Sequence, residues 1–283
     1  IDLQLLDNAA AEMYRNQQNQ EIISIIERVT ARDDFFSCID KILDKEYSLY
    51  LKYIALTVFN KFVSNNWGNL QIEHSEYYKN FIAQFTMKPF SQSEKPLLYM
   101  ADTVLINILL YEWPDKWPTF IQNILSVASN SPELCQNSLK VIRMLVEEFT
   151  DFSENSMTTV RQAEMNFAFV NQFSLIHPVV LNALSSRDDG LIIEALNCMK
   201  TFLNVVDPEV IFTQDMINVL TNEFLPNPKF MIYCISIISI IPSHHAIFDE
   251  SINSFITLFY AIIQCLSKIF INDNMFDIDT NSE

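Results

Sequence analysis

LINILLYEWPDKWPTFIQNILSVASNSPELCQNSLKVIRMLVEEFTDF, running from Leu105 to Phe152, sets two Trp-Pro pairs, Trp113-Pro114 and Trp117-Pro118, between two apolar runs of helical length. Proline lacks a backbone N–H and disfavours helix in the residue before it, so a helix from Leu97 to Tyr111 has to stop at Trp113. Asp115 then stands where an N-cap belongs, and Pro118 is tolerated in a first helical turn. Phe120, Ile121, Ile124 and Leu125 follow at the spacing of a buried stripe. The stretch reads as the corner of a helical hairpin. Both indoles are expected to pack between neighbouring hairpins, with stacking on a ligand as the competing use of such rings.

Outward from this corner, composition points the same way. Only two glycines, Gly68 and Gly190, occur in 283 residues, and 49% of the chain is hydrophobic without the strict alternation that strands joined by tight turns require. An all-α chain follows. It is too long for one bundle of short helices, yet no Gly/Ser/Pro-rich linker divides it, so stacked hairpins sharing a continuous core fit better than two separate domains.

The hairpins recur at roughly 35 to 45 residues, the period of HEAT units. Ile1 to Tyr14 with Asn19 to Val29 make the first, and Asp34 to Leu43 with Tyr47 to Asn65 the second. Ser75 to Met87 pairs with Glu94 to Tyr111, and Trp117 to Ala128 with Pro132 to Phe149. An unusually long helix from Thr158 to Leu184 precedes Asp189 to Val205, then Phe212 to Phe224 pairs with Lys229 to Ile241. Phe248 to Ile271 opens a last hairpin, for an α-solenoid of about six to seven in all. Ser131-Pro132-Glu133 is an N-cap, a proline at N1 and a first-turn acid on the positive end of the helix dipole. Asp207-Pro208-Glu209 and Asn227-Pro228 repeat the device, and such punctuation marks helix starts rather than active-site loops.

Several function classes lack support. With 18 Lys+Arg against 35 Asp+Glu the formal charge is −17, which repels a phosphate backbone and speaks against direct nucleic-acid binding. The acids either keep an apolar solenoid soluble or attract basic partners. Five dispersed cysteines, Cys38, Cys135, Cys198, Cys234 and Cys265, form no CxxC and imply a reducing compartment rather than a disulfide framework. No phosphate loop, nucleophile elbow or dinucleotide fingerprint is present, so no enzyme and no cofactor are expected. Glu147 and Glu148 point about 100° apart on a helix and cannot share a proton. The adjacent His244 and His245 belong in a loop, and the acidic tail from Asp277 lacks the glycine of a calcium loop, so no metal site is expected.

Membrane insertion is not expected either. Ser251 to Ile271 is long enough to span a bilayer, but Asn253, Gln264 and Lys268 interrupt it and no basic flank anchors it. Phe230 to Ile241 is too short at ~1.5 Å per residue. Residues 272–283 are polar, acidic and aperiodic, which reads as disorder or the start of a loop.

Tyr111-Glu112-Trp113-Pro114-Asp115-Lys116-Trp117-Pro118-Thr119-Phe120-Ile121, Leu134-Cys135-Gln136-Asn137 and Glu147-Glu148-Phe149-Thr150-Asp151-Phe152 together resemble the amino-terminal region of the exportin-1 family, nuclear export receptors of the karyopherin-β superfamily. The likeness extends from Leu5-Leu6-Asp7-Asn8 through Trp67 and Phe202-Leu203-Asn204 to about Leu225, departs around Gln17 to Ala31, and becomes generic after Ser243. The resemblance implies HEAT repeats throughout, with 1–111 as a Ran-binding-type amino-terminal region like that of importin-β and 112–271 as exportin-1-like repeats. The chain opens at Ile1 inside a helical pattern, so it is expected to be a piece of a longer receptor. The family's reactive cysteine lies in a cargo groove in later repeats, and none of the five here inherits that role.

In such receptors the second helix of each hairpin lines the inner side, and the first repeats receive GTP-loaded Ran. Here Tyr53, Leu56, Phe59 and Val63 form the expected buried stripe of the Tyr47–Asn65 helix. That leaves Thr57, Asn60, Lys61 and Ser64, with Asn107 and Tyr111 of the next hairpin, as the candidate Ran-binding face; Trp113, Pro114, Trp117 and Pro118 are the structural corner. The implied partners are GTP-bound Ran, cargo bearing a leucine-rich export signal held by repeats outside this chain, and nuclear pore proteins, with shuttling between nucleus and cytoplasm. An importin, another exportin, or a HEAT scaffold indifferent to nucleotide remain the alternatives.

Overall fold

The computed structural model describes residues 1–16, 18–151 and 157–240, and beyond them the helical positions Ile256, Phe259, Tyr260, Ile263, Gln264 and Ser267. The expectations for His244-His245, for the Phe248 to Ile271 hairpin and for the tail therefore lie outside the described residues. Among those described, secondary structure is helical throughout, with no strand. The chain divides into two compact units, Ile1–Phe120 and Ile121 onward.

The first unit holds α1 (Leu3–Arg15), α2 (Gln20–Thr30), α3 (Asp33–Phe36), α4 (Ile39–Asp44), α5 (Leu49–Asn66), α6 (Ile72–Thr86) and α7 (Lys95–Glu112). It is built in two layers. α5 packs between α1 and α7, while α2, α4 and α6 back α1, α5 and α7 respectively. The core between the layers contains Phe35, Ile39, Ile42, Leu51, Leu56, Phe59, Val63, Ile82, Leu105 and Leu109, all essentially inaccessible to solvent. Burying side chains of this size is worth about 1.5–3 kcal/mol each before entropy is charged against it, which makes the interlayer seam the main driving force for the unit.

Three expectations change here. The helix expected over Asp34 to Leu43 is broken into α3 and α4 at Ser37-Cys38. Tyr53, expected in the buried stripe of α5, is 48% exposed, and Leu51, Ala55, Leu56, Phe59 and Val63 form that stripe instead. Finally, α1 is the first helix of its hairpin, yet it stands in the row of α5 and α7, which are second helices. The Asp7 carboxylate holds it there, accepting hydrogen bonds from the Ser48 N–H at 3.0 Å and the Ser48 hydroxyl at 2.5 Å, while Tyr14 stacks on Tyr50 at 4.0 Å. Ser48 in turn caps α5 by accepting from the Leu51 N–H.

The second unit contains α8 (Phe120–Ala128, which begins at the boundary), α9 (Pro132–Thr150), α10 (Thr159–Leu184), α11 (Asp189–Phe202), α12 (Pro208–Ile211), α13 (Gln214–Val219) and α14 (Met231–Ile240). α11 packs against α9, α10 and α14, so within this unit too one helical row is backed by another. Phe169 and Phe173 of α10 meet Phe202 of α11 at ring-centroid distances of 5.1 and 5.9 Å. Ser131 caps α9 through the Leu134 N–H, with Pro132 and Glu133 behind it, as the sequence pattern requires.

Two starts in this unit differ. Asp207 caps only the four-residue α12, and the helix expected from Phe212 to Phe224 is instead α13 followed by a π turn at Leu220–Phe224. Asn227 accepts from the Lys229 N–H in a turn, and α14 begins only at Met231. Among the described residues one helix, α10, is long and apolar enough to cross a membrane. Met165, Phe169, Phe173, Ile176 and Val180 on it are buried, and it packs on α9 and α11.

Candidate partner-binding surface

α5 and α7 run side by side in the first unit, and their apolar stripes are spent on the core. What each helix presents on its other side is polar and aromatic. On α5 the Thr57 hydroxyl donates to the Tyr53 carbonyl at 2.9 Å and the Ser64 hydroxyl to the Asn60 carbonyl at 3.1 Å, so both are turned back along the helix, and Thr57, Lys61 and Ser64 are exposed. Across the groove, the Asn107 amide donates to the Asn60 side-chain oxygen at 2.6 Å and the Tyr111 hydroxyl to the Ser64 carbonyl at 3.2 Å. The structure thus brings Asn60 to Asn107 and Ser64 to Tyr111, with Thr57 and Lys61 beside them on α5. Exposed Tyr50, Tyr53, Tyr99 and Tyr111 add flat rings on the same two helices. Side chains of this kind, rigid aromatics among short hydrogen-bonding groups, suit a protein partner rather than chemistry.

Beneath the carboxyl ends of these helices lies a polar cluster that sequence reasoning missed. Trp67 follows α5 directly, and its indole Nε1–H donates to Glu112 Oε1 at 3.0 Å. Lys79 of α6 places its ammonium 3.5 Å from Glu112 Oε2, pairs also with Glu76, and lies 5.2 Å from the centre of the Trp117 ring. Lys79 and Glu112 side chains are each 4% exposed, whereas Lys116, 3.8 Å from Glu112, is solvated. A lysine in mid-helix and a glutamate at a helix end read as solvated charges in sequence, and no periodicity distinguishes the pair that becomes buried.

The corner is built around the same residues. Glu112 closes α7, and its carbonyl accepts from the N–H groups of both Lys116 and Trp117, at 2.7 and 3.0 Å. Trp117 therefore spends its N–H backwards, Pro118 has none to give, and α8 begins at Phe120; Asp115 is not its N-cap. Trp113 is fully buried, its bond to Pro114 is cis, and Trp117, half-buried, meets Phe120 edge-on at 5.1 Å.

The second unit carries a comparable polar tie. Arg143 Nε donates to Glu194 Oε1 at 2.6 Å and its NH1 to Glu147 at 2.8 Å, and the Thr201 hydroxyl reaches Glu147 at 3.2 Å. Burial opposes the guanidinium charge, but the Glu194 and Glu147 bonds outweigh it and raise the Arg143 pKa. Burial pushes the Cys135 and Cys198 thiols up and that of Cys234 up to about 12, so these sulfurs stay protonated and pack as small apolar groups. Among the described residues no group of three or more His, Cys, Asp or Glu could hold a metal ion.

Comparison with known proteins places the sequence in one family. The family model described as exportin 1-like protein matches residues 94–238, slightly more than half of the chain. The chain belongs to the exportin 1-like family. The importin-beta N-terminal domain matches residues 24–88, so α5 lies in the latter match and α7 in the former. Exportin-1 of Schizosaccharomyces pombe is 28% identical over 280 residues, covering 95% of this chain and 26% of that protein. Exportin-1 of Dictyostelium discoideum is 28% identical over 248 residues, covering 81% of this chain and 24% of that protein. Protein EXPORTIN 1A of Arabidopsis thaliana is 27% identical over 239 residues, 81% of this chain and 22% of that protein. The chain thus spans about a quarter of the length of the curated relatives it matches.

Proposed function

We propose that the chain is the amino-terminal part of a nuclear export receptor, that it receives GTP-loaded Ran on the α5–α7 face, and that it has no enzymatic activity. In the whole protein, repeats outside this chain carry cargo bearing a leucine-rich export signal, and contacts with nuclear pore proteins let the receptor shuttle between nucleus and cytoplasm. The observation that carries this reading is the order of the two matched regions, an importin-beta N-terminal domain followed by exportin 1-like repeats, with the polar–aromatic face formed by one helix of each.

Thr57, Asn60, Lys61, Ser64, Asn107 and Tyr111 are the contact residues, short donors and acceptors around one lysine and one ring. Cargo and Ran each raise the other's affinity by the same factor, as linkage demands, and hydrolysis of GTP in the cytoplasm removes one partner and releases the other. The test is binding of this chain, and of its full-length parent, to Ran locked with GTP or with GDP. GTP-selective binding that falls at least tenfold in Asn60→Glu/Lys61→Glu supports the face. A full-length parent that is folded yet indifferent to nucleotide refutes the Ran-dependent mechanism.

A further inference from the structure

We propose that the buried Trp67–Glu112–Lys79 cluster is a register-setting device for the open α5–α7 face, acting on the geometry of that face rather than on the stability of the fold; the proposal rests on the reading of this face as the Ran-binding surface. Trp67 caps the end of α5, Glu112 is the last residue of α7, and Lys79 comes from α6, so one carboxylate joins three helices at a single level. Tyr111 precedes Glu112 by one residue and Ser64 precedes Trp67 by three, which places the exposed Tyr111–Ser64 bond in the same helical turns as the buried Trp67–Glu112 bond.

The apolar contact between α5 and α7 does not specify this alignment. α5 buries Leu51, Ala55, Leu56, Phe59 and Val63 and α7 buries Leu97, Ala101, Val104, Leu105, Ile108 and Leu109, and dispersion and burial among such groups are non-directional. A slip of one turn, about 5.4 Å, would carry Asn107 and Tyr111 past their partners on α5 while keeping apolar against apolar. Of the two cross-helix bonds on the open side, Tyr111–Ser64 is exposed to water and Asn107–Asn60 is only partly buried, so water competes for their partners. One buried acceptor with a single indole N–H opposite it has no such competitor and only one good alignment. Buried ion pairs seldom add net stability over apolar side chains of similar volume, and fixing register is their best-attested use. Trp117, lying over the Lys79 ammonium, completes the cluster.

In this view Trp67, Lys79 and Glu112 are positioning residues that touch no partner. The test replaces the whole cluster, Trp67→Phe/Lys79→Met/Glu112→Leu, so that no buried polar group is orphaned. Three quantities are read in the full chain: melting temperature, affinity for GTP-locked Ran, and the distance distribution between spin labels at Asn65→Cys and Thr103→Cys in a Cys38→Ser/Cys265→Ser background. The proposal expects a melting temperature within a few degrees of the parent, a shifted or broadened distance distribution, and at least tenfold weaker Ran binding. An unchanged distribution overturns it, whether the melting temperature holds or collapses. Should the triple variant fail to fold, Trp67→Phe alone removes the indole N–H together with part of the ring, leaves Lys79 paired with Glu112, and is read the same way. If the unmodified chain and its full-length parent both ignore Ran, the functional reading falls, while the label distances still decide whether the cluster sets the register.

Discussion

Replacing Glu194 measures how strongly α9 and α11 are tied. Arg143 Nε reaches Glu194 at 2.6 Å, and the two side chains are 19% and 9% exposed. Removing one member of a buried pair costs about 3–5 kcal/mol, chiefly because the surviving charge is left uncompensated. The two halves of this pair are not equivalent. Glu194→Gln leaves Arg143 with Glu147, which is 47% exposed and continues to accept from NH1, so the cost falls below that range, to about 2 kcal/mol. Arg143→Met strands the more deeply buried carboxylate and lies at the lower end of the range, about 3 kcal/mol.

The double variant Arg143→Met/Glu194→Gln strands no buried charge and is expected to cost about 2 kcal/mol, giving a coupling of about 3 kcal/mol. Native-state hydrogen exchange at the amides of α9 and α11 is the assay, since it reports the opening free energy of these helices without assuming that the chain unfolds in one step. The coupling should change little between low and moderate salt, because partly buried charges are weakly screened. A coupling below about 0.5 kcal/mol, inside the scatter of additive sites, would show that the contact is a solvated surface pair and would refute the reasoning.

Three other expectations are accessible to simple measurements. The Tyr77 hydroxyl donates to Asp40, and that bond, more than desolvation, raises its pKa to about 12. Since the folded value lies above the unfolded value of about 10, its stabilising effect is whole below pH 10 and is lost as pH rises through 12, so the melting-temperature gap between parent and Tyr77→Phe should narrow over that interval; a constant gap contradicts it. Of Cys38, Cys135, Cys198 and Cys234, only Cys38 is not buried, and it should react first with a maleimide in the native state; early modification of Cys198 would contradict its burial beside the Leu139 carbonyl. Ser131→Ala removes the cap of α9 and should lower stability by about 1 kcal/mol in urea unfolding, with Ser131→Asp restoring it.

The parts of the fold legible in sequence were those fixed by chemistry within a few residues. Pro114 ends α7 at Glu112, and Ser131-Pro132 starts α9, because a missing N–H and a side-chain acceptor act locally. Tyr53 sits at the edge of an apolar stripe, where a neighbouring helix, not the period, decides burial. Asn60, Ser64, Asn107 and Tyr111 follow from a family resemblance, and their pairing depends on a separation of 47 residues that no single-helix pattern encodes. The Lys79–Glu112 pair was invisible for the same reason, compounded by the ordinary expectation that charges stay in water.

The cross-helix bonds named above share one property of distance along the chain. Asp7 to Ser48 spans 41 residues, Trp67 to Glu112 45, Asn60 to Asn107 47 and Arg143 to Glu194 51. Each tie closes a loop of about one repeat, so its entropic cost is paid once per repeat and does not grow with the length of the array. Folding can therefore start in any pair of neighbouring hairpins and spread outward, at rates set by local closure rather than by total length. Under tension the same geometry yields a series of small releases, each surrendering one hairpin while its neighbours hold, so the chain behaves as a compliant spring that re-forms link by link when the load is removed.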